Sequence, residues 1–190
     1  MNVLRSPELL HRSSSRLLLV DVQEKLIATL EESTQAKLLE ACRFLSEGAR
    51  IMGIPVIATE QYPQGLGPTV SSLIEFTNSR PEKKRFSAVE CTGLPAATDD
   101  DRFQVVVAGL ETHVCVLQTV LDLLASGYQT YVAIDAVAGR RSNDHDVALQ
   151  RMANSGAVIT TAESVLFEWC ESAESPEFKP LSSLVKSRPR

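Results

Sequence analysis

RLLLVDVQ (16–23) and QVVVAGL (104–110) constrain this chain more than any other feature. Both contain nearly unbroken apolar runs, whereas a strand with one wet face would alternate apolar and polar residues. Such runs suit strands covered on both faces, the condition of strands in a parallel sheet between helical layers. Between them the period changes. From Thr34 to Met52 the apolar positions Leu38, Leu39, Cys42, Leu45 and Ala49 recur at helical spacing, and Gly53-Ile54-Pro55 closes the segment. VIAT (56–59), QTYVAIDA (129–136) and AVITT (157–161) read as further strands, and a short one is expected around Phe86 to Val89. Helices are expected over Val114 to Ser126, over 142–154 with Ser142 as cap, and over AESVLFEWC (162–170). Strands alternating with helices imply right-handed crossovers. The predicted fold is therefore α/β: a three-layer α/β/α, doubly wound, Rossmann-like arrangement around a mostly parallel sheet.

A length of 190 residues with 44% hydrophobic content fits a single domain over 1–190. Residues 1–13 read as a surface arm and 175–190 as a loosely ordered tail. A net charge of −5, with Lys and Arg scattered apart from Lys83, Lys84 and Arg85, leaves no basic footprint. Nucleic acid is not an expected partner. No apolar run approaches the ~20 residues needed to cross a bilayer, and MNVLRSPELLHRSSSR lacks the apolar centre of a secretory signal. No membrane association is expected. Cys42, Cys91, Cys115 and Cys170 lie far apart without a C-x-x-C pair, which points to reduced thiols and a cytoplasmic location rather than a disulfide framework or a zinc knuckle. The glycines form neither a G-x-G-x-x-G nor a Walker A loop, so no dinucleotide site is expected.

Chemistry should gather where the strands end. In open α/β sheets ligands bind beyond the carboxyl ends of the strands, so Asp21, closing the first strand, and Cys115, following the fourth, should face one crevice. A thiol at a helix start feels the partial positive charge of exposed N–H groups, which favours thiolate and lowers its pKa. The competing reading makes Cys115 a small buried hydrophobe and Asp21 a turn residue. EQYPQGLGPTV (60–70), rich in Pro and Gly, reads as a loop leaving the carboxyl end of the second strand. Lys83 by itself is one lysine of a basic run.

Taken together, LLLVDVQ (17–23), KKRFSA (83–88), AGLETHVCV (108–116) and DAVAGR (135–140) resemble the corresponding blocks of the isochorismatase-like, or cysteine hydrolase, superfamily. TEQYPQGLG (59–67) is similar to the loop of isochorismatase domain-containing proteins of unknown substrate, and the likeness runs from roughly residue 14 to residue 170. The resemblance implies the superfamily fold and a catalytic triad of acid, lysine and cysteine on Asp21, Lys83 and Cys115. Lys83 is preferred to Lys84 because the family lysine stands four residues before the serine of an F-S pair, here Phe86-Ser87. A cis peptide is implied at Leu110–Glu111, with backbone N–H groups of Glu111 and Cys115 facing a tetrahedral oxyanion.

The implied activity is metal-independent hydrolysis of a small carboxamide or related acyl compound through a thioester, without a cofactor. Nicotinamidases of the superfamily carry an Asp-x-His metal motif where this chain has Glu60-Gln61-Tyr62, and its three histidines, His11, His113 and His145, are dispersed. His113 reads as a loop or interface residue. True isochorismatases cleave a vinyl ether without a cysteine nucleophile, so Cys115 argues against that reaction. Gln23 and Gln61 are candidate substrate ligands through their amides, with Gln23 alternatively capping the turn after the first strand. A second class of reading keeps the fold and a reactive Cys115 for redox sensing, without catalysis. Assembly as a homo-oligomer, a dimer or larger, is expected from relatives, with the apolar residues of VLQTVLDLLASGY reading equally as an interface or as core.

Overall fold

A computed structural model describes residues 4–188. Among the described residues there are seven strands: β1 Ser15–Val20, β2 Val56–Ala58, β3 Glu60–Gln61, β4 Glu82–Lys83, β5 Gln104–Leu110, β6 Gln129–Ala138 and β7 Val158–Thr160. The helices are α1 Glu24–Ile27, α2 Glu32–Met52, α3 Pro63–Leu66, α4 Ser71–Ile74, α5 Val89–Thr92, α6 Leu117–Ala125, α7 Ser142–Asn154, α8 Ala162–Cys170 and α9 Phe178–Ser187. Five strands form one parallel sheet in the order β2-β1-β5-β6-β7, and β3 pairs with β4 in a separate parallel ribbon. The predicted three-layer α/β/α arrangement is what forms.

The apolar runs explain the layering. Along β1, Leu17 and Leu19 enter the core beneath α2 and α8, while Leu18 and Val20 enter the core beneath α6 and α7. Strand β5 divides the same way, with Val106 and Ala108 on one face and Val105 and Val107 on the other. A strand sealed on both sides needs apolar residues at every position, which is why neither run alternates. Two glycines permit close approach. A Cβ on Gly48 of α2 would stand 2.6 Å from Leu166 Cγ of α8, and one on Gly109, at φ +117, would stand 2.1 Å from the Val20 carbonyl oxygen. Gly109 therefore lets β5 press against the end of β1, immediately beside Asp21.

The sheet order reverses between β1 and β5, because the chain moves outward from β1 to β2 and then crosses to β5 on the other side. That reversal opens a crevice at the carboxyl ends of these two strands. A bulge in β6 between Val132 and Val137, opposite Val107 to Gly109, flips its alternation of faces.

Several local expectations are corrected. The strand expected at Phe86 to Val89 lies earlier, at Glu82–Lys83, and Val89 opens helix α5 instead. Ser142 is the first residue of α7 and supplies no side-chain cap. The described part of the expected tail, 175–188, is not loose, because α9 packs on α2 and α8 with Leu181 fully buried, while 189–190 lie outside the described residues. Arg188 closes that contact by pairing with Glu40 and Asp135 and lying 4.5 Å over the Phe44 ring. Residues 4–13 of the arm are tied down as well, since Leu10 is fully buried, its N–H donates to Glu168 Oε2 at 2.9 Å, and Arg5 donates to the Glu168 carbonyl at 2.7 Å.

Candidate active site

Asp21 leaves β1 in a left-handed conformation, φ +51, which short polar residues tolerate better than bulky ones. Its side chain is wholly buried, and Thr59, at the end of β2, donates its hydroxyl to Oδ1 at 2.8 Å. Lys83 reaches the same carboxylate from the β3–β4 ribbon, with Nζ 2.7 Å from Oδ2. Nζ also lies within hydrogen-bond reach of Gln61 Oε1 (2.7 Å), the Phe86 carbonyl (2.8 Å) and the Arg85 carbonyl (3.3 Å). The contact with Oδ2 is a buried ion pair at short range.

Cys115 completes the group. It lies in a π-helical turn, Thr112–Val116, which runs directly into α6, and it is 5% exposed. Thr119, one turn on, donates to the Cys115 carbonyl at 2.6 Å and accepts from the Ala88 N–H at 2.9 Å, tying the thiol's helix to the segment that carries Lys83. The Leu110–Glu111 peptide before this turn is cis. Glu111 is held by Arg140, whose Nε stands 2.6 Å from Glu111 Oε1. The sequence offered signals for Thr119 and Arg140, the first four residues after Cys115 on one helix face and the second inside DAVAGR, but their partners are set only by folding.

The electrostatics reverse one expectation. Burial, then the Asp21 carboxylate, pushes the Cys115 thiol up to about 12, with Lys83 pulling the other way. The favourable helix-end field expected for this thiol is outweighed by desolvation and a neighbouring anion. Burial likewise raises Asp21 above the ordinary carboxylate range, opposed by Lys83, the thiol and Thr59. At rest the pocket holds a protonated thiol against a carboxylate whose proton affinity is enhanced.

The other expected residues separate. Lys84 is exposed, so its neighbour Lys83 is the lysine at Asp21. Gln23 is fully buried and both of its N–H groups go to carbonyls, Gln61 at 3.1 Å and Gly67 at 2.5 Å, while its oxygen accepts from the Gln61 N–H at 2.7 Å. It neither caps the turn with its side chain nor has a donor left for substrate. Gln61 is likewise engaged within the protein, through Lys83 and through its Nε2 to the Lys84 carbonyl at 2.9 Å. His113 packs against Gly139, with Nε2 4.0 Å from Asp144 Oδ2. Among the described residues no cluster of three or more His, Cys, Asp or Glu is placed to hold a metal ion. A wide groove of about 1590 Å³ runs past Lys37, Glu40, Asp135, His145 and Arg188, but none of Asp21, Lys83 and Cys115 lines it.

An isochorismatase domain matches residues 15–164. The chain belongs to the isochorismatase family. Isochorismatase domain-containing protein 1 of Salmo salar is 43% identical over 147 residues, covering 75% of this chain and 51% of that protein, so the chain matches about half the length of this relative. Isochorismatase domain-containing protein 2 of Bos taurus is 38% identical over 177 residues, 91% of this chain and 83% of that protein. Among solved structures, the MAR1 ribonuclease of Caenorhabditis elegans superposes with a TM-score of 0.85 at 35% identity, covering 95% of this chain and 94% of that one. The sheet order of this chain is that of the isochorismatase fold.

Proposed function

We propose that the protein is a metal-independent cysteine hydrolase that cleaves a small carboxamide or related acyl compound. The observation that carries the reading is the convergence of Asp21, Lys83 and Cys115 in a nearly dry site at the strand-order reversal. Asp21, with its raised proton affinity, takes the thiol proton as Sγ attacks the substrate carbonyl. The Lys83 ammonium balances the negative charge while sulfur bonds to carbon. The tetrahedral oxyanion that forms faces the backbone N–H groups of Glu111 and Cys115; losing one such donor typically costs ~10² to 10³ in turnover. As the C–N bond breaks, Asp21 returns its proton to the departing amine and a thioester remains. Asp21 then draws a proton from water, hydroxide adds to the thioester, and Cys115 leaves with that proton as a thiol. The sum is amide plus water giving acid plus amine.

The raised thiol supports this reading over a redox sensor, because a thiol that keeps its proton at neutral pH is a poor target for oxidants without a base acting on it. The name of the Caenorhabditis elegans relative brings RNA into the substrate panel, although a net charge of −5 gives that substrate little support. Four free cysteines are consistent with the cytoplasmic setting that belongs to this proposal. Homo-oligomerisation belongs to it too, supported by exposed Val158 and Ile159 on edge strand β7.

Intact-mass analysis after rapid quenching, with a panel of aliphatic and aromatic amides and esters and a short RNA, tests the reading. An acyl adduct on Cys115 that vanishes in Cys115→Ser and forms far more slowly from amides in Asp21→Asn is the expected result. Turnover that survives Cys115→Ser rules the mechanism out.

A further inference from the structure

We infer that Gln61 is a positioning residue, whose side-chain carbonyl fixes the Lys83 ammonium against Asp21 and which is itself locked in place by Gln23. The inference rests on the Asp21, Lys83 and Cys115 reading above and assigns Gln61 a role within the protein rather than at the substrate. Four oxygens surround Lys83 Nζ: Asp21 Oδ2 and Gln61 Oε1, each at 2.7 Å, and the carbonyls of Phe86 and Arg85 at 2.8 and 3.3 Å. Two belong to the backbone and one is the charged partner. Gln61 supplies the single neutral side-chain acceptor, so it is the contact that sequence can tune without touching the triad.

The orientation of that amide is unambiguous. Its Nε2 faces the Lys84 carbonyl at 2.9 Å, which can only accept, and its Oε1 faces an ammonium, which can only donate. A flipped amide would oppose donor to donor and acceptor to acceptor. The backbone of Gln61 is held just as firmly. It pairs with Lys83 across the β3–β4 ribbon, and its N–H and carbonyl both bond the Gln23 carboxamide, at 2.7 and 3.1 Å. Gln23 in turn stands two residues after Asp21, on the far side of the same turn. A continuous chain of bonds therefore joins the acid to the lysine by a route independent of their ion pair: Asp21 to Gln23 through the turn, Gln23 to Gln61, and Gln61 to Lys83.

The arrangement serves the reaction through charge placement. Lys83 lowers the cost of the thiolate only while its ammonium stays close to the sulfur beside the carboxylate. Without the Gln61 acceptor the ammonium is left with Asp21 Oδ2 and two backbone carbonyls, and its freed N–H turns onto the carboxylate or draws the side chain off its present position. Either outcome withdraws positive charge from Cys115. Replacing Gln61 by Glu retains an acceptor but adds an anion, which divides the ammonium between two carboxylates and leaves less positive potential for the sulfur.

Iodoacetamide labelling of Cys115, resolved by mass spectrometry from about pH 7 to about pH 10, reads this directly. The comparison needs the native chain, Lys83→Met, Gln61→Met and Gln61→Glu, each with a melting curve to identify the folded variants. We expect both Gln61 variants to move the whole rate–pH profile to higher pH, slowing Cys115 by about tenfold at a given pH, in the same direction as Lys83→Met and by less. A folded Gln61 variant with the native Cys115 profile overturns the inference, whatever its melting temperature, because a purely structural or substrate-touching residue would leave the thiol untouched. Lys83→Met separates the two readings. If it slows Cys115 and the Gln61 changes do not, only the positioning role falls. If it too leaves the profile unmoved, the triad reading fails and the role of Gln61 falls with it.

Discussion

Asp21 stands under two opposing influences, burial that raises its proton affinity and Lys83, 2.7 Å away, that lowers it. Cys115 is pushed the same way, since burial and the carboxylate raise the thiol and the ammonium lowers it. The thiol, pushed up to about 12, keeps its proton at rest beside the carboxylate. Substitutions at the two partners should therefore move the thiol in opposite directions. Asp21→Asn removes an anion and should speed Cys115 alkylation at fixed pH by about tenfold, while Lys83→Met should slow it by a similar factor. Both should lower turnover, by ~10² or more, because the base or its counter-charge is gone. Alkylation slowed by both changes would mean that Asp21 stabilises the thiolate rather than opposing it. The choice between Lys83 and Lys84 shows the limit of a single residue's legibility. Adjacent strand residues point to opposite faces, so one of the two had to face inward, and only the pairing of Gln61 with Lys83 decides which.

At the scale of elements, Gly109 is the point where sheet geometry and chemistry meet. Its φ of +117 and the 2.1 Å approach of a built Cβ to the Val20 carbonyl leave no room for a side chain at the end of β1. Gly109→Ala should cost more than about 3 kcal/mol, read as a fall in urea midpoint, and should displace Asp21 from Lys83. An unchanged midpoint would mean that β5 can withdraw from β1 without loss. Strands β1, β2, β5, β6 and β7 were legible because each is an apolar run or a β-branched segment bounded by punctuation. Helix α9 was not read, although Phe178, Leu181, Leu184 and Val185 recur at helical spacing. Pro180 does not break this helix, because it falls in the first turn, where its missing N–H has no partner to lose. The β3–β4 ribbon escaped for another reason. Two residues on each side carry no periodicity, and the ribbon exists only because Glu60 and Glu82 are brought together by the strands and loops around them.

Over the whole molecule the buried thiols tie stability to alkaline pH. Cys42 and Cys115 are both pushed up to about 12 from an ordinary 9.0, in each case chiefly by burial. A raised folded value means that the unfolded chain ionises first. The stabilisation is full below pH 9.0 and is lost as pH climbs towards about 12, at up to about 1.4 kcal/mol per unit for each thiol. Stability followed by urea unfolding should fall across that interval, and Cys115→Ala should make the fall shallower by about one proton. An identical slope in the variant would mean that Cys115 is not desolvated in the folded state. The division between what the chain alone determined and what folding decided follows from the range of the physics involved. Apolar periodicity, chain order and punctuation act over neighbouring residues, and they were enough for a parallel α/β/α sheet with Asp21 and Cys115 at the ends of adjacent strands. The thiol's proton, the lysine that meets Asp21, the work of Gln23 and Gln61 and the docking of α9 and the N-terminal arm were decided by tertiary structure. Each of these depends on dehydration and on contacts between residues distant in the chain, and a sequence states which groups are capable of such contacts without stating how far apart or how dry they are.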